Sequence, residues 1–129
     1  MFRRSERTNF MRDLTINAKH LEGKICMVSL DGVLNTETSE TLRKAFDDLI
    51  ESNIWKFVVD LSGVSYMGSS GIGLFISLLD TLDEHKGTIV FISPQANVME
   101  VFKLFKLATF YSITNNLQDA INEVKGLSH

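Results

Sequence analysis

The sequence predicts a single α/β domain in which a mixed β-sheet is covered by about four helices. The chain has 129 residues, of which 44% are hydrophobic and 22% charged, as expected for one soluble domain with its own core. The apolar pattern alternates between strand and helix periods in the order β-β-α-β-α-β-α-α, with short further strands at residues 33–34 and before the last helix. We expect the domain to span residues 14–124, between a flexible arm of residues 1–13 and a tail of residues 125–129.

The first half of the domain is predicted to be a hairpin followed by a helix. Residues 14–18 alternate between apolar and polar side chains, and residues 25–30 form an apolar run, with a turn over residues 21–24 between them. The helix is expected to begin at Thr36 or Thr38, either of which can cap it. Its core-facing stripe follows the i, i+3, i+4, i+7 pattern through Leu42, Ala45, Phe46, Leu49 and Ile50.

The second half continues this alternation of strands and helices. Residues 57–61 are almost all apolar, which is typical of a central strand covered on both faces. A loop over residues 62–68 leads into a helix over residues 69–85, and residues 88–92 form another buried strand. A last helix covers residues 117–124. A further helix precedes it, with a predicted buried stripe of Val98, Val101, Phe102 and Phe105. A hairpin followed by two β-α-β crossovers implies one mixed sheet.

Composition excludes several classes of function. The net charge of −3 and the pI of about 5.5 do not favour binding to nucleic acid. The longest apolar stretch, residues 72–79, is far shorter than the roughly 20 residues that span a membrane. Cys26 is the only cysteine, so no disulfide forms within the chain, and a cytoplasmic location is expected. The histidines are too far apart in sequence to suggest a zinc site: His20, His85 and His129.

The most informative segment is D-L-S-G-V-S-Y-M-G-S-S-G-I-G over residues 60–73. It predicts a strand, a turn and a helix start, with Ser69 as the N-cap. A phosphate-binding P-loop would require lysine after Gly73, where Leu74 stands. A nucleophile elbow around Ser70 would require glycine in place of Ile72. We therefore expect neither catalysis nor a cofactor.

This segment resembles the corresponding loop of the STAS family, specifically of the anti-sigma-factor antagonists, which reads like D-L-S-x-V-x-[FY]-[ML]-D-S-S-G-[LI]-G. The element order also agrees over residues 14–124. The resemblance implies that Ser69 is phosphorylated by a partner serine kinase that is also an anti-sigma factor. It implies that the unphosphorylated chain binds this kinase and frees the sigma factor, and that a serine phosphatase restores the hydroxyl.

Two positions depart from the family pattern. The acidic residue before the serine is Gly68 here, and the aspartate of the family's G-x-L-D segment is Asn35. Both changes remove negative charge beside Ser69. They imply either a different choice of kinase or the loss of phosphorylation, and on generic grounds Asn35 is a turn or cap residue.

The predicted docking surface combines the loop, the start of the second helix and the region of Asn35. Within that helix, Ile72, Phe75, Ile76, Leu79 and Leu82 are assigned to the core. Leu74 and Leu78 fall beside this stripe, where they are either partly exposed to a partner or covered by a neighbouring helix. The complete set of predicted partner-binding residues is Asn35, Tyr66, Met67, Gly68, Ser69, Ser70, Leu74 and Leu78.

The sequence therefore favours an anti-sigma-factor antagonist that is switched off when Ser69 is phosphorylated. One alternative is a ligand-sensing STAS module that binds a nucleotide or a lipid in a pocket. Another is a structural subunit of a signalling complex in which Ser69 is never modified. Sequence alone leaves the oligomeric state open.

Overall fold

The structure of the chain, a computed structural model, describes residues 13–126. Residues 1–12 of the predicted arm and residues 127–129 of the predicted tail lie outside this range. The strands are β1 (Leu14–Leu21), β2 (Ile25–Leu34), β3 (Lys56–Met67), β4 (Thr88–Ile92) and β5 (Ser112–Thr114). The helices are α1 (Thr36–Glu51), α2 (Ser69–Glu84), α3 (Ala96–Leu104) and α4 (Leu117–Val124), with short 3-10 turns at Glu22–Lys24 and Leu107–Thr109.

The strands form one sheet in the order β1-β2-β3-β4-β5. β1 pairs with β2 in an antiparallel hairpin, from Leu14 opposite Gly32 to Leu21 opposite Ile25. Every later pair is parallel, and each parallel connection contains a helix. The predicted α/β fold with a mixed sheet and four helices is therefore confirmed.

Side chains of β3 alternate between two covered faces of the sheet. Phe57, Val59 and Leu61 belong to the main core, beneath α1, α2 and α3. Val58 faces the other way, toward a smaller cluster built around α4. Burial on both faces explains why this strand is a continuous apolar run and not an alternating one.

An edge-to-face series of aromatic rings connects the helices to the sheet in the main core. Phe46 of α1 contacts Phe57 with ring centroids 5.0 Å apart, and Phe75 of α2 contacts Phe91 at 4.9 Å. Phe91 also contacts Phe102 of α3 at 5.0 Å. These contacts fix the positions of three helices relative to one another, because edge-to-face pairs add a directional preference to the burial of apolar area.

The prediction of a loop over residues 62–68 is wrong, because β3 continues to Met67. Its second half pairs with the end of β2, with Gly63 opposite Asp31 and Tyr66 opposite Val33. The two predicted pieces of β2 are likewise one strand that passes through irregularities in this pairing. Local composition suggested a loop, whereas the long-range ladder satisfies the backbone of these polar residues.

The third helix ends earlier than its apolar pattern indicated. α3 ends at Leu104, and Phe105, predicted to be buried, is 45% exposed as the C-cap residue. Val98 and Phe102 are buried as predicted, and Val101 is half-buried. The stripe fails at its last position because the helix stops before the next turn brings that side chain back to the core.

Cys26 is the second residue of β2 and is fully buried, as predicted. Burial raises the pKa of its thiol, so the thiol stays protonated and packs as a small apolar group. Among residues 13–126, no helix is long and apolar enough to cross a bilayer. The same residues include no cluster of histidine, cysteine and carboxylate side chains that could hold a metal ion.

Candidate functional site

Two helices begin side by side at the carboxyl ends of β2 and β3. Leu34 and Met67 are the last paired residues of these parallel strands, and α1 and α2 start one or two residues later. The backbone N–H of Gly68 donates to the carbonyl of Leu34 over 2.9 Å. The predicted association of the Asn35 region with the Ser69 loop is therefore present in the fold.

Asn35 caps α1 through a reciprocal pair of hydrogen bonds. Its side-chain oxygen accepts from the backbone N–H of Thr38 over 3.0 Å, and its own backbone N–H donates to the Thr38 hydroxyl over 2.9 Å. The cap is thus Asn35, and the prediction that Thr36 or Thr38 caps this helix is wrong. Thr38 takes part as the third helical residue, the place that glutamate or glutamine holds in the usual capping box.

Gly68, and not Ser69, is the N-cap of α2, which corrects the sequence-based prediction. Gly68 has extended backbone angles (φ −92°, ψ −175°), and its carbonyl accepts from the N–H of Gly71 over 3.1 Å. No side chain caps this helix. Ser69 becomes the first helical residue, so its hydroxyl is not used for capping, and the residue is exposed.

The Tyr66 side chain covers Gly68 at the edge of this helix start. A Cβ atom at position 68 would lie 2.9 Å from the Tyr66 hydroxyl, so the ring occupies the space that a side chain there would need. Tyr66 is itself 53% exposed. On the other side, the hydroxyl of half-buried Ser70 lies 3.4 Å from that of Thr36 in α1. Ser69 therefore stands between an aromatic ring and a pair of hydroxyls.

The first turn of α2 sits tightly on the strand ends beneath it. A Cβ atom on Gly71 would lie 2.9 Å from Cγ of Met67 and 3.1 Å from Cβ of Leu34. Met67 is 3% exposed, so it supports the surface from below. Met67, which was predicted to bind a partner, is therefore buried beneath the first turn of α2 and is not part of the exposed surface.

The solvent-facing side of α2 differs from the one predicted. Leu74 and Leu78, predicted to be partly exposed, are 2% and 1% exposed. Ile76, assigned to the core, is 41% exposed, and Leu79 is half-buried. The apolar residues of this helix fit two stripes, and contact with both α1 and the sheet selects the one that includes Leu74 and Leu78.

The outer face of α2 carries residues that the sequence reasoning missed. Ser69, Gly73 and Ile76 follow i, i+4, i+7 spacing, and all three are exposed. Ser77 follows them and accepts a hydrogen bond from Arg43 of α1. No signal in the sequence marked this face, because the same helix holds both the exposed Gly73 and the buried Gly71.

The surface around Ser69 is uncharged over a long stretch of sequence. Residues 61–79 include no aspartate, glutamate, lysine, arginine or histidine. His85 stacks on Trp55 at the other end of α2, and a helix of 16 residues is about 24 Å long. This segment therefore presents neutral hydroxyls at the positive end of the α2 dipole, where an added anion is tolerated. The adjoining first turn of α1 carries the exposed Glu37.

A small apolar cavity lies between α1 and the hairpin. Its volume is about 130 Å³, and its lining includes Ile16, Val28 and Phe46. Pockets that hold drug-sized ligands usually measure about 300–1,000 Å³. The cavity is therefore too small for a nucleotide, and its walls, apolar side chains and Asp48, offer no group that attracts a phosphate.

A family comparison agrees with this arrangement of strands and helix starts. The model of the STAS domain family matches residues 15–120, which is most of the chain. The chain belongs to the STAS domain family. The resemblance first seen in residues 60–73 therefore extends over almost the whole predicted domain.

Individual relatives of this STAS domain are distant but cover it well. An anti-sigma F factor antagonist from Paenibacillus polymyxa is 25% identical over 120 residues, which cover 90% of this chain and 99% of that protein. The unphosphorylated form of the anti-sigma factor antagonist SpoIIAA superposes with a TM-score of 0.76 at 21% identity, over 89% of this chain and all of that one. The phosphorylated form of Bacillus SpoIIAA gives a TM-score of 0.68 at 20% identity, over 85% and 99% of the two chains. These likenesses establish a shared fold.

Proposed function

We propose that this STAS domain is a cytoplasmic anti-sigma-factor antagonist that is switched off by phosphorylation of Ser69. In this proposal the unphosphorylated chain binds an anti-sigma factor that is also a serine kinase, and it performs no catalysis of its own. A serine phosphatase returns the chain to its binding form. The observation that carries the proposal is the exposed Ser69 hydroxyl in the first turn of α2, beside the start of α1.

The names of the relatives support the partner class. The Paenibacillus polymyxa relative is an anti-sigma F factor antagonist, and SpoIIAA has been solved in both a phosphorylated and an unphosphorylated form. The geometry supports the modification, because Ser69 is accessible and its hydroxyl is not needed to cap the helix. A kinase can therefore reach this side chain without opening the fold.

Phosphorylation changes the electrostatics of this surface more than its structure. A phosphoserine brings about −1.5 to −2 charges and three acceptor oxygens. The dipole of α2 favours that charge, so the fold is retained. A partner surface that fits the neutral hydroxyl would bury an unpaired phosphate, which costs several kcal/mol or more. The switch therefore acts on affinity.

The two departures from the family pattern give this site its own character. Gly68 leaves room for the Tyr66 ring, and Asn35 supplies the cap of α1 without a negative charge. A kinase that selects its substrate through carboxylates at positions 35 and 68 would not recognise this chain. We propose that the cognate kinase contacts Tyr66 and the neutral hydroxyls of Thr36 and Ser70.

Site-resolved mass spectrometry of the protein purified from its native cells tests the proposal. We expect a phosphate on Ser69, its loss in the Ser69→Ala variant, and no transfer of the phosphate to Ser70 in that variant. The binding partner is then recovered with wild type and with Ser69→Ala, but not with Ser69→Asp. A chain that is never phosphorylated at Ser69 under any growth condition would favour a structural subunit.

A further inference from the structure

Exposed apolar side chains cluster where α3 ends. Leu104, Phe105 and Phe110 are 75%, 45% and 54% exposed, and they fall within seven consecutive residues. Lys103 and Lys106 lie among them and are also exposed. We call these five residues the Leu104 patch. Large apolar groups that gather on a surface usually mark a contact with another molecule.

The fold holds the patch in place from below. Phe102 and Leu107 are fully buried on either side of Leu104 and Phe105, and Tyr111 is buried just after Phe110. The Tyr111 hydroxyl donates to the carbonyl of Phe75 over 2.7 Å, which ties this segment to α2. The exposed side chains therefore extend from a segment whose neighbouring residues are packed in the core.

The patch is a positively charged region on an acidic domain. Residues 101–118 include the two lysines and no carboxylate, and the exposed Glu100 lies one helical turn before Lys103. The whole chain carries −3 even though its N-terminal arm contributes four arginines: Arg3, Arg4, Arg7 and Arg12. The domain itself therefore has a more negative net charge than the whole chain. The patch differs from the rest of the domain because its charged side chains are both positive. Such local charge selects partners by complementarity.

The positive charge of the patch argues against three binding partners: a second copy of this chain, its own N-terminal arm and a membrane. A symmetric pair of these chains would place like lysines against one another, because a two-fold contact joins the same patch to itself. The arginine-bearing arm of this chain has the same sign as the patch. An anionic membrane would attract the two lysines but would repel the acidic remainder of the domain. A local cluster of carboxylates on a protein partner avoids all three conflicts.

We propose that the Leu104 patch binds an acidic amphipathic segment of a partner protein. Apolar side chains of that segment pack against Leu104, Phe105 and Phe110, and its carboxylates lie near Lys103 and Lys106. The solvent side of α3 has a shallow groove, and the end of it lined by Val101, Lys103 and Leu104 receives the segment. The exposed Glu100 lines the groove toward its other end, so the carboxylates of the segment lie at the Lys103 and Lys106 end. An amphipathic helix laid into such a groove is a common mode of peptide recognition.

The patch is separate from the Ser69 site, so this inference does not depend on the proposed phosphorylation. The start of α3 is tied to β3, because Asn97 donates to the carbonyl of Ser65 over 2.8 Å. The patch lies at the opposite end of this nine-residue helix, about 13 Å farther along its axis. A segment confined to residues 101–110 therefore leaves the start of α3, and with it the Ser69 site, open to a second protein.

Site-specific photo-crosslinking in the native cells tests this inference. The full chain carries p-benzoylphenylalanine in place of Leu104, or in place of Gln118 on α4 as the control position. We expect a protein adduct only from position 104, and mapping should place the crosslink in a segment rich in carboxylates and apolar residues. The double substitution K103E/K106E, on an exposed surface that does not support the core, should lower the adduct yield about tenfold.

Four outcomes would overturn the inference. They are no adduct from position 104, an adduct with lipid, an adduct with a second copy of this chain, and a mapped protein segment without acidic residues. An unchanged yield in K103E/K106E would contradict the role of charge. Thermal unfolding of each variant confirms that it is folded before crosslinking. Repeating the experiment with Ser69→Asp tests whether the Leu104 patch acts independently of the Ser69 site. The adduct at position 104 should persist in this variant even if the variant no longer binds the kinase.

Discussion

The backbone N–H of Gly68 donates to the carbonyl of Leu34 over 2.9 Å, and this bond joins the starts of two helices. Leu34 is the last residue of β2, and Gly68 follows the last residue of β3. The bond therefore connects the residue before the N-cap of α1 with the residue before Ser69. The stability and the recognition properties of this surface can be tested separately through the residues around that bond.

Replacing Asn35 with alanine should destabilise the protein by about 1 kcal/mol, because the capping box of α1 is lost. Urea unfolding measures this change in the free energy of unfolding. The control is Asn35→Asp, which keeps an acceptor for the Thr38 N–H and should remain within a few tenths of a kcal/mol of wild type. Equal losses in both variants would mean that the cap does not explain the effect.

The glycines at positions 71 and 73 should respond in opposite directions to alanine. A Cβ atom at Gly73 meets open space, so Gly73→Ala should stabilise the helix by about 0.5–1 kcal/mol. At Gly71 the new atom would crowd Met67 and Leu34, so Gly71→Ala should destabilise by about 1–3 kcal/mol. Urea unfolding of the pair checks both signs, and equal shifts would contradict the close seating of α2.

Ser69→Asp should weaken binding of the partner kinase by about tenfold or more while leaving the domain folded. A negative side chain in the first turn of α2 interacts favourably with the dipole, so the free energy of unfolding should rise by about 0.3–1 kcal/mol. Titration calorimetry and urea unfolding measure the two effects. Asn122→Asp adds the same charge on exposed α4 and should leave binding unchanged. Loss of structure in Ser69→Asp would contradict a switch that acts on affinity alone.

Tyr111→Phe should destabilise the protein by about 1 kcal/mol, because the buried hydroxyl loses its bond to the Phe75 carbonyl. Tyr66→Phe is the matched control, since that ring is exposed, and it should change little. Urea unfolding at neutral pH compares the two. A large effect of Tyr66→Phe would indicate that its hydroxyl supports the fold.

Alkaline pH should destabilise the wild-type protein through the same Tyr111 hydroxyl. Burial, and then the charge of Asp83, raise the pKa of Tyr111 above its ordinary value of about 10. Above that pH the unfolded chain loses the proton while the folded chain keeps it, so the free energy of unfolding falls as pH rises. Urea unfolding between pH 8 and pH 11 measures the slope, and Tyr111→Phe should reduce it. The same slope in both proteins would assign the effect to another group.

Local sequence was sufficient for most of the secondary structure. The hairpin, the buried strand over residues 57–61 and α4 appear where their patterns predicted them. These elements have a period, a turn or a cap that is encoded within a few residues. The motif over residues 60–73 was also sufficient to identify the STAS family, because its serines and glycines are consecutive along the chain.

Features that depend on distant partners were not predictable in this way. The extension of β3 to Met67 requires the end of β2 as a partner, and the change of N-cap from Ser69 to Gly68 follows from that extension. Leu74 was expected to be partly exposed but is buried, and Ile76 was expected to be buried but is exposed. The elements packed against α2 decide which of its two apolar stripes is buried. Likewise, the exposure of Phe105 depends on where α3 stops.

The sequence alone therefore determined the fold class, the family and the presence of an unusual serine pair at a helix start. The tertiary structure decided which serine is exposed, which leucines are buried, and which apolar side chains at the end of α3 are exposed. The physical reason is the separation along the sequence of the residues that interact. Periodicity and capping act within one or two turns of the chain, whereas the burial of a side chain is set by elements that are distant in sequence.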